Sequence, residues 1–239
     1  MQDVTLEKVH KLNFRSSEAY KLLRTNIQLC GSEVKTICVT SCLPNEGKSN
    51  VSFNLAVSIA ESGKNVIFID ADLRRSVTVG RYKPNKEVLG LTQYLSGQNS
   101  VSEIMYETNI TNLDVIFTGP VPPNPAELLG SYCFVDFMKM LREEYDYIII
   151  DTPPLGTVVD CAIVAEYCDG VVFVIESYAI SYKFAQKVKK QLEKGNCRIL
   201  GAVLNKVELN NRQYKYYGKR YRKYKNYGNE YYEDKYNEE

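Results

Sequence analysis

Short apolar runs alternate with segments of helical periodicity between residues 35 and 207. The runs are rich in valine and isoleucine at consecutive positions, which predicts strands that are covered on both faces of a sheet. They read KTICVTS, NVIFIDAD, NLDVIFTG, YDYIIIDT, DGVVFVIE and RILGAVLNKV. Helical patterns occupy 48–62, 125–144, 160–167 and 181–194, and Gly63 and Gly195 mark the ends of the first and the last. This alternation predicts an α/β fold with a mostly parallel central sheet flanked by helices.

A further helix is predicted ahead of this core, in the stretch SSEAYKLLRTNIQL. Ser16 or Ser17 would cap its start. We expect its buried side to consist of Ala19, Leu22, Leu23, Ile27 and Leu29. The charged residues Glu18, Lys21 and Arg24 recur every three positions and would share a stripe beside that side. Such a stripe is either a solvated helix face or a contact surface for another subunit.

The composition changes abruptly after residue 209, where aliphatic residues vanish and tyrosine alternates with lysine, arginine, asparagine and glycine. Such a segment cannot bury enough apolar surface to offset the entropy lost on ordering, so we predict that 210–239 is disordered. Nine of the 19 tyrosines of the chain lie in this tail: Tyr214, Tyr216, Tyr217, Tyr221, Tyr224, Tyr227, Tyr231, Tyr232 and Tyr236.

The charge of the tail is divided between its two halves. Residues 210–225 hold seven lysines and arginines and no acids, whereas 226–239 hold one lysine and five acids. A basic and aromatic segment could bind single-stranded nucleic acid or an anionic membrane, or be a low-complexity end without a role. Tyrosine is an unusual choice for a disordered segment because its ring favours burial. We therefore favour the hypothesis that these phenols accept phosphoryl groups.

The bulk composition excludes several classes of protein. A net charge of +1 gives no reason to expect a nucleic-acid partner, and seven cysteines without a C-x-x-C pair predict reduced thiols. No apolar run reaches the roughly 18 residues of a membrane span, and no signal peptide follows Met1. We divide the chain into an arm with an oligomerisation helix (1–34), a P-loop domain (35–209) and the tail (210–239).

The stretch SCLPNEGKSN lies between a predicted strand and a predicted helix, the context that a phosphate-binding loop requires. It fits the pattern G-x-x-x-x-G-K-S except that Cys42 replaces the first glycine. Lys48 would bridge the β- and γ-phosphates of a nucleotide, and the Ser49 hydroxyl would ligate Mg²⁺. The residues predicted to bind ATP here are Ser41, Cys42, Leu43, Pro44, Asn45, Glu46, Gly47, Lys48, Ser49 and Asn50.

Three aspartates follow two of the predicted strands: Asp70 and Asp72 in IDADLRR, and Asp151 in IIIDTPP. Because the carboxyl ends of parallel strands meet in the ligand-binding crevice, we expect these carboxylates to lie beside the loop. Hard oxygen ligands are what Mg²⁺ on a nucleotide prefers. Lys48, Asp70, Asp72 and Asp151 are thus the predicted catalytic residues, with Ser49 and the three aspartates as the metal ligands.

The spacing of SxxPxEGKS, IDADLRR and IIIDTPP resembles that of the bacterial tyrosine kinases, which have three Walker-type motifs. The segment GPVPPNPAELLGS and the helix around Glu18 match as well. The chain is most similar to the soluble kinases of capsule or exopolysaccharide clusters in Gram-positive bacteria. The family often lacks the first loop glycine, whereas Asn45 stands where many relatives have glycine.

The resemblance implies a P-loop NTPase fold, ATP and Mg²⁺ as cofactors, and trans-autophosphorylation of the tail tyrosines. It implies ring-shaped homo-oligomers built through E-x-x-R-x-x-R, which reads E-x-x-K-x-x-R here because of Lys21. It also implies a membrane-embedded activator that recruits a cytoplasmic kinase to the inner face of the membrane, a cognate tyrosine phosphatase, and a role for Asn205 in binding adenine.

The sequence does not decide which aspartate binds the metal and which accepts the proton. Asp70 and Asp72 would share metal coordination and acceptance of the phenol proton, and we favour Asp70 as the base. Arg74 and Arg75 would stabilise the γ-phosphate or hold the acceptor.

A different function class also remains. A ParA- or MinD-like ATPase would cycle on a membrane or DNA partner, but no residue from Ser41 to Glu46 is the signature lysine of that class. A third reading is an interaction protein that only binds nucleotide.

Overall fold

The computed structural model describes residues 1–195 and 197–208, and within them one mixed sheet forms the centre of the fold. Its strands are β1 (Gln2–Val4), β2 (Thr36–Ser41), β3 (Val66–Asp70), β4 (Met105–Thr108), β5 (Leu113–Ile116), β6 (Tyr147–Asp151), β7 (Gly170–Glu176) and β8 (Ile199–Asn205). They lie in the order β1-β4-β5-β3-β6-β2-β7-β8. The six strands from β5 to β8 in this order are parallel, and β4 and β1 run the other way.

The predicted α/β fold is therefore confirmed, because each apolar run forms a strand within two or three residues of its expected bounds. Strands β1 and β4 were not predicted. Both are short and carry polar residues (QDV and MYET), so neither has the continuous apolar run that marks the buried strands.

The helices cover both faces of the sheet. They are α1 (Phe14–Gln28), α2 (Lys48–Ala60), α3 (Thr78–Tyr82), α4 (Leu91–Leu95), α5 (Val101–Ile104), α6 (Pro125–Leu129), α7 (Tyr132–Glu144), α8 (Asp160–Ala165) and α9 (Tyr182–Lys194). The single helix predicted over 125–144 is wrong: Ser131 accepts a hydrogen bond from the Phe134 amide and so starts a second helix. Among the described residues, no helix combines the length and apolar character that crossing a membrane requires.

Alternate residues of each central strand enter two separate cores. In β3, Ile67 and Ile69 pack with α7 and α8, whereas Val66 and Phe68 pack with α2 on the opposite face. Each fully buried aliphatic or aromatic side chain of this kind contributes roughly 1.5–3 kcal/mol to folding. Two-sided burial fixes the strand register, because a shift of one residue would exchange the two cores.

The first helix begins slightly earlier than expected. Asn13 caps it by accepting a hydrogen bond from the Ser16 amide (2.9 Å), so the predicted cap at Ser16 or Ser17 is wrong. Asparagine is as effective a cap as serine, and here it lies where the chain turns into the helix.

The buried side of α1 also differs from the prediction. Ala19 is exposed, and Leu22 and Leu29 are 54% and 80% exposed, so these three assignments are wrong. Ile27 is buried and Leu23 is half-buried, as expected. The side that meets α2 runs through Tyr20, Leu23, Ile27 and Cys30, a spacing of three and four that fits one helix face.

The predicted disordered tail and all nine of its tyrosines lie outside the described residues.

Candidate active site

Two neighbouring strands bring the predicted aspartates together. β3 and β6 pair in parallel with Asp70 opposite Asp151, and Asp72 follows two residues later. The phosphate loop leaves the adjacent strand β2, which pairs Val39 with Asp151. All three carboxylates are buried. The carboxyl ends of three adjacent strands thus form one crevice, as the sequence predicted.

The backbone of the loop is shaped by left-handed residues and by Glu46. Gly47 has φ 94° and Asn45 has φ 67°; asparagine tolerates this conformation, so it can replace the glycine of many relatives. The buried Glu46 carboxylate accepts hydrogen bonds from the amides of Leu43 (2.7 Å) and Glu176 (3.3 Å). A carboxylate inside the loop therefore fixes its curvature and ties it to β7.

Lys48, the first residue of α2, points into the carboxylate crevice. Its Nζ lies 2.9 Å from Asp72 Oδ2, 3.6 Å from Asp151 Oδ2 and 3.2 Å from Ser49 Oγ. Burial acts to lower the pKa of Lys48, but Asp151 and Asp72 outweigh it and hold that pKa above its ordinary value. Lys48 stays charged, at the place where a phosphate could compete for it.

Asp151 is incompletely satisfied. Its Oδ1 atom is buried and accepts no hydrogen bond from any described residue. Burial raises the pKa of Asp151, against the opposing effect of Lys48. Buried polar atoms nearly always have a partner, so an orphaned carboxylate oxygen beside a phosphate loop indicates a position for a ligand or its water shell.

The donor set fits Mg²⁺ that is shared with a nucleotide. Ser49 Oγ and the Asp151 carboxylate are hard oxygen donors at the start of α2 and the end of β6. In the described ranges no three His, Cys, Asp or Glu side chains are grouped so as to hold a metal by themselves. The site would thus complete the coordination of Mg²⁺ with phosphate oxygens and water, as usual for this ion.

Asp70 is held more tightly than Asp151. Its Oδ2 accepts a short hydrogen bond from Ser76, and its Oδ1 accepts one from the Asp72 amide (3.2 Å). Burial, followed by the neighbouring Asp151 carboxylate, raises the pKa of Asp70 to about 7. A carboxylate with such a pKa can take and release a proton near neutral pH.

Cys42, where an ordinary loop has glycine, is fully buried. Burial and then the Glu46 charge raise the pKa of its thiol to about 12. The segment after Asp151 packs against this part of the loop: the Leu155 amide donates to Ser41 O (3.0 Å), and a Cβ on Gly156 would lie 2.2 Å from Cys42 O. Close packing therefore requires glycine at 156, while position 42 accepts a side chain.

The two consecutive arginines diverge. Arg74 forms a bidentate pair with the buried Asp160 of α8, through Nε (2.7 Å) and Nη2 (2.8 Å). Hydrogen bonding to Asp160 raises the pKa of Arg74. Arg75 has an exposed side chain, and its backbone amide donates to Asp72 Oδ1 (3.0 Å). The structure thus pairs the predicted phosphate ligand Arg74 with Asp160 of α8, and it leaves the Arg75 side chain at the edge of the crevice.

Asn205 ends β8 beside the loop. Its Nδ2 donates to Glu46 O (2.9 Å), and a Cβ on Gly47 would lie 2.1 Å from that nitrogen. The carboxamide therefore lies against the phosphate loop, and its role in binding adenine stays a prediction.

The predicted oligomerisation residues do not form one free stripe. Glu18 and Lys21 pair with each other (2.8 Å), and Arg24 donates a short hydrogen bond to Ser58 O on α2. Arg24 thus anchors α1 to the P-loop helix, and the proposed subunit contact stays a prediction for all three residues.

Comparison with known proteins identifies the family. The family model described as an AAA domain matches residues 34–199. A tyrosine-protein kinase, CpsD of Streptococcus agalactiae, is 43% identical over 212 residues, which span 87% of this chain and 93% of the relative. The chain belongs to the bacterial tyrosine kinase family.

Solved structures agree with this assignment. The kinase superposes on the crystal structure of the chimerical protein CapA2B2 with a TM-score of 0.77 and 31% identity, over 86% of this chain and 95% of that one. It also superposes on the septum site-determining protein MinD of Pyrococcus horikoshii, in complex with Mg-ADP (TM-score 0.61, 24% identity, 75% and 73% of the two chains). The second likeness shows the fold alone, that of a P-loop NTPase.

Sequence reasoning missed several residues that shape this site. Glu46 was assigned to the loop without its bridging role, and Ser76, Gly156 and Asp160 were not assigned to the site at all. Only Gly156 carried a signal, because a glycine that closely follows the strand-end aspartate can mark a close backbone approach. The others depend on contacts between distant segments.

Proposed function

We propose that this kinase transfers the γ-phosphoryl group of Mg-ATP to the tail tyrosines of another copy of the chain. The single observation that carries the proposal is the meeting of Lys48 Nζ with Asp72 and Asp151 beside Ser49. Phosphoryl transfer depends mainly on positioning and charge neutralisation, and this cluster provides a cation, hard oxygens and a proton acceptor together.

Each group has a proposed role. Lys48 and the loop amides hold the β- and γ-phosphates, because both lie at the start of α2 where the helix dipole favours anions. When phosphate binds, Lys48 exchanges part of its contact with Asp72 for a phosphate oxygen. One of the two carboxylates Asp70 and Asp72 then accepts the phenol proton, with Asp70 favoured as the base, and Asn205 orients the adenine.

Magnesium would be held by Ser49 and by water bound to Asp151, with Asp70 and Asp72 as further ligands, and would neutralise charge on the transferred phosphoryl group. The orphaned Asp151 oxygen supports this assignment.

The resemblance supports a wider role in regulating capsular or exopolysaccharide biosynthesis and export. We propose that the kinase works in the cytoplasm as a ring-like homo-oligomer, through Glu18, Lys21 and Arg24, and is recruited to the plasma membrane by a membrane-embedded activator. A tyrosine phosphatase would reverse the reaction. No nucleic-acid partner is expected, because the net charge of the chain is +1.

The test is phosphotyrosine mapping after incubation with labelled ATP and Mg²⁺, with the activator present if one is needed. Lys48→Met should abolish the label, whereas Lys139→Met, at an exposed lysine of α7, should not change it. Removing residues 210–239 should remove most of the label and leave nucleotide binding intact. Labelled serine in place of tail tyrosine, or steady ATP hydrolysis without protein label, would refute the kinase role and favour a cycling ATPase.

A further inference from the structure

A groove of about 1240 Å³ begins at Asp72 in the active site, and Asn205 is not among the residues that line it. It opens at Asp72 and is bounded by the segment between β3 and α4, the residues after β5 and the N-terminal strand region. Asn205 lies at the end of β8, on the other side of the phosphate loop in the order of the strands. A nucleotide with its base near Asn205 would thus present its last phosphate toward the mouth of this groove.

The groove combines apolar walls with cationic side chains. Val79 and Val121 line it although they are exposed, Val121 by 70%. Its cations are Arg75, Lys83 and Lys86. In the described part of the chain none of the three has a carboxylate within salt-bridge distance, and Arg75 stands directly beside Asp72 at the mouth.

Acidic residues offset these cations in part. Glu7 and Glu87 line the outer groove, and Asp72 is already paired with Lys48. Lys86 donates to Gln2 Oε1 (3.1 Å) and lies over the Tyr106 ring, which holds its charge in the groove wall. With Asp72 paired to Lys48, the rest of the groove holds three cations against two acids, an excess of one positive charge.

Only one half of the tail complements such a surface. Residues 226–239 read NYGNEYYEDKYNEE, so their four tyrosines share the segment with five acids and one lysine, and two of them, Tyr231 and Tyr232, are adjacent to an acid. The half at 210–225 has five tyrosines among seven lysines and arginines and no acid, and its charges would meet those of Arg75, Lys83 and Lys86. Tyrosine rings can pack on the valine walls in either case, so charge is what distinguishes the two halves.

We propose that this groove binds residues 226–239 of a second copy and so directs phosphorylation first to Tyr227, Tyr231, Tyr232 and Tyr236. The substrate class is a tyrosine peptide with acidic flanking residues. The inference rests on the proposed kinase function, and it adds the order in which the tail is modified and the residues that set it.

Time-resolved mass spectrometry of the full-length kinase with Mg-ATP tests the order. The tyrosines of 226–239 should gain phosphate at least about tenfold faster than those of 210–225. The double variant Arg75→Glu, Lys83→Glu should lose this preference, whereas Lys139→Glu, at an exposed lysine outside the groove, should keep it. Equal initial rates in the two halves, or an unchanged order in the double variant, would overturn the proposal.

A binding measurement separates the groove from the chemistry. Fluorescein-labelled NYGNEYYEDKYNEE should bind the full-length kinase, and a matched peptide with its five acids changed to glutamine or asparagine should bind at least about tenfold more weakly. Equal binding of the two peptides, or no binding of the acidic one, would refute the groove assignment. If no tyrosine is phosphorylated at all, the proposed function fails, and the peptide measurement still decides what the groove binds.

Discussion

Buried or half-buried aspartates lie at both ends of strand β2, Asp151 at the carboxyl end and Asp169 at the amino end, and the two differ in how many hydrogen bonds they accept. At the carboxyl end, Asp151 has one buried oxygen without a hydrogen bond from any described residue and shares Lys48 with Asp72. At the amino end, Asp169 accepts two hydrogen bonds from Arg142, at 2.9 and 3.0 Å. The amides of Lys35 and Thr36 add two more, at 2.9 and 2.8 Å.

The pKa shifts of the two aspartates are opposite. Burial raises the pKa of Asp151. Burial also acts on Asp169, but the hydrogen bonds from Arg142 and the backbone amides outweigh it, so the pKa of Asp169 is lowered. A fully hydrogen-bonded carboxylate stabilises the fold, whereas one that is buried and short of donors destabilises the ligand-free protein. The first arrangement indicates a structural role, and the second indicates a place reserved for a ligand.

The largest expected effect comes from Asp151→Asn. Asp151 would hold the water shell of the Mg²⁺ that neutralises the transferred phosphoryl group, so its loss should lower kcat about 100- to 1000-fold. The free energy of unfolding without nucleotide should stay the same or rise, because a poorly solvated charge is lost. Initial phosphorylation rates and urea unfolding measure the two quantities. A large loss of stability would show that Asp151 is structural, like Asp169.

Asp169→Asn should reverse this pattern. It leaves Arg142 and two backbone amides without their charged acceptor, at a cost of about 2 kcal/mol in the free energy of unfolding. Phosphorylation per folded molecule should be unchanged, since Asp169 lies at the opposite end of β2 from the site. Urea unfolding checks the first statement and the initial rate the second. Asp136→Asn, which removes an exposed ion pair with Lys139, should cost less than about 0.5 kcal/mol.

A smaller effect is expected from Gly156→Ala. The new Cβ would overlap the Cys42 carbonyl, so the phosphate loop must shift, at a cost of about 1–2 kcal/mol. The affinity for ATP should fall with it. Gly201→Ala is the matched control, because a Cβ there meets no atom within 4 Å and the chain should be unchanged or slightly more stable. Calorimetry would measure the loss of stability, and nucleotide titration would measure the loss of ATP affinity. A Gly156→Ala variant that behaves like Gly201→Ala would show that the segment after Asp151 is not closely packed against the phosphate loop.

The smallest expected effect concerns the difference in the free energy of unfolding between wild type and Asp169→Asn. This difference should depend on pH. The folded pKa of Asp169 lies below its unfolded value of about 3.9. Its stabilisation is therefore fully present above that value and is lost as the pH falls through the folded pKa. Urea unfolding from pH 7 to pH 3 should show a constant gap that narrows below about pH 4. A difference that widens on acidification would contradict the lowered pKa of Asp169 in the folded protein.

Much of the site followed from local sequence. Lys48 and Ser49 were placed at a helix start, and Asp70 and Asp151 at strand ends, because the apolar runs that precede them set where each strand stops. Their meeting follows from the parallel sheet, which the alternation of strands and helices had already predicted. The residues therefore converge as expected, while the roles proposed for them stay predictions.

Other features were not predictable from such patterns. Arg74 and Arg75 are adjacent and chemically identical, yet one pairs with Asp160, 86 residues away, and the other lines the groove. The apolar residues of α1 offered more than one possible face, and the position of α2 selected Tyr20, Leu23 and Ile27. Short, partly polar strands such as β1 become strands only because a neighbouring edge pairs with them.

The sequence by itself thus determined the α/β class, the phosphate loop, the strand-end carboxylates and the division of the tail into basic and acidic halves. Each of these depends on residues that are close together in the chain, where periodicity, turn chemistry and charge counting apply. The tertiary structure alone decided which carboxylate is satisfied, which arginine is free to meet a substrate, and where the groove lies. Those outcomes depend on contacts between distant segments, whose energies are set by burial and hydrogen-bond geometry once the chain has folded.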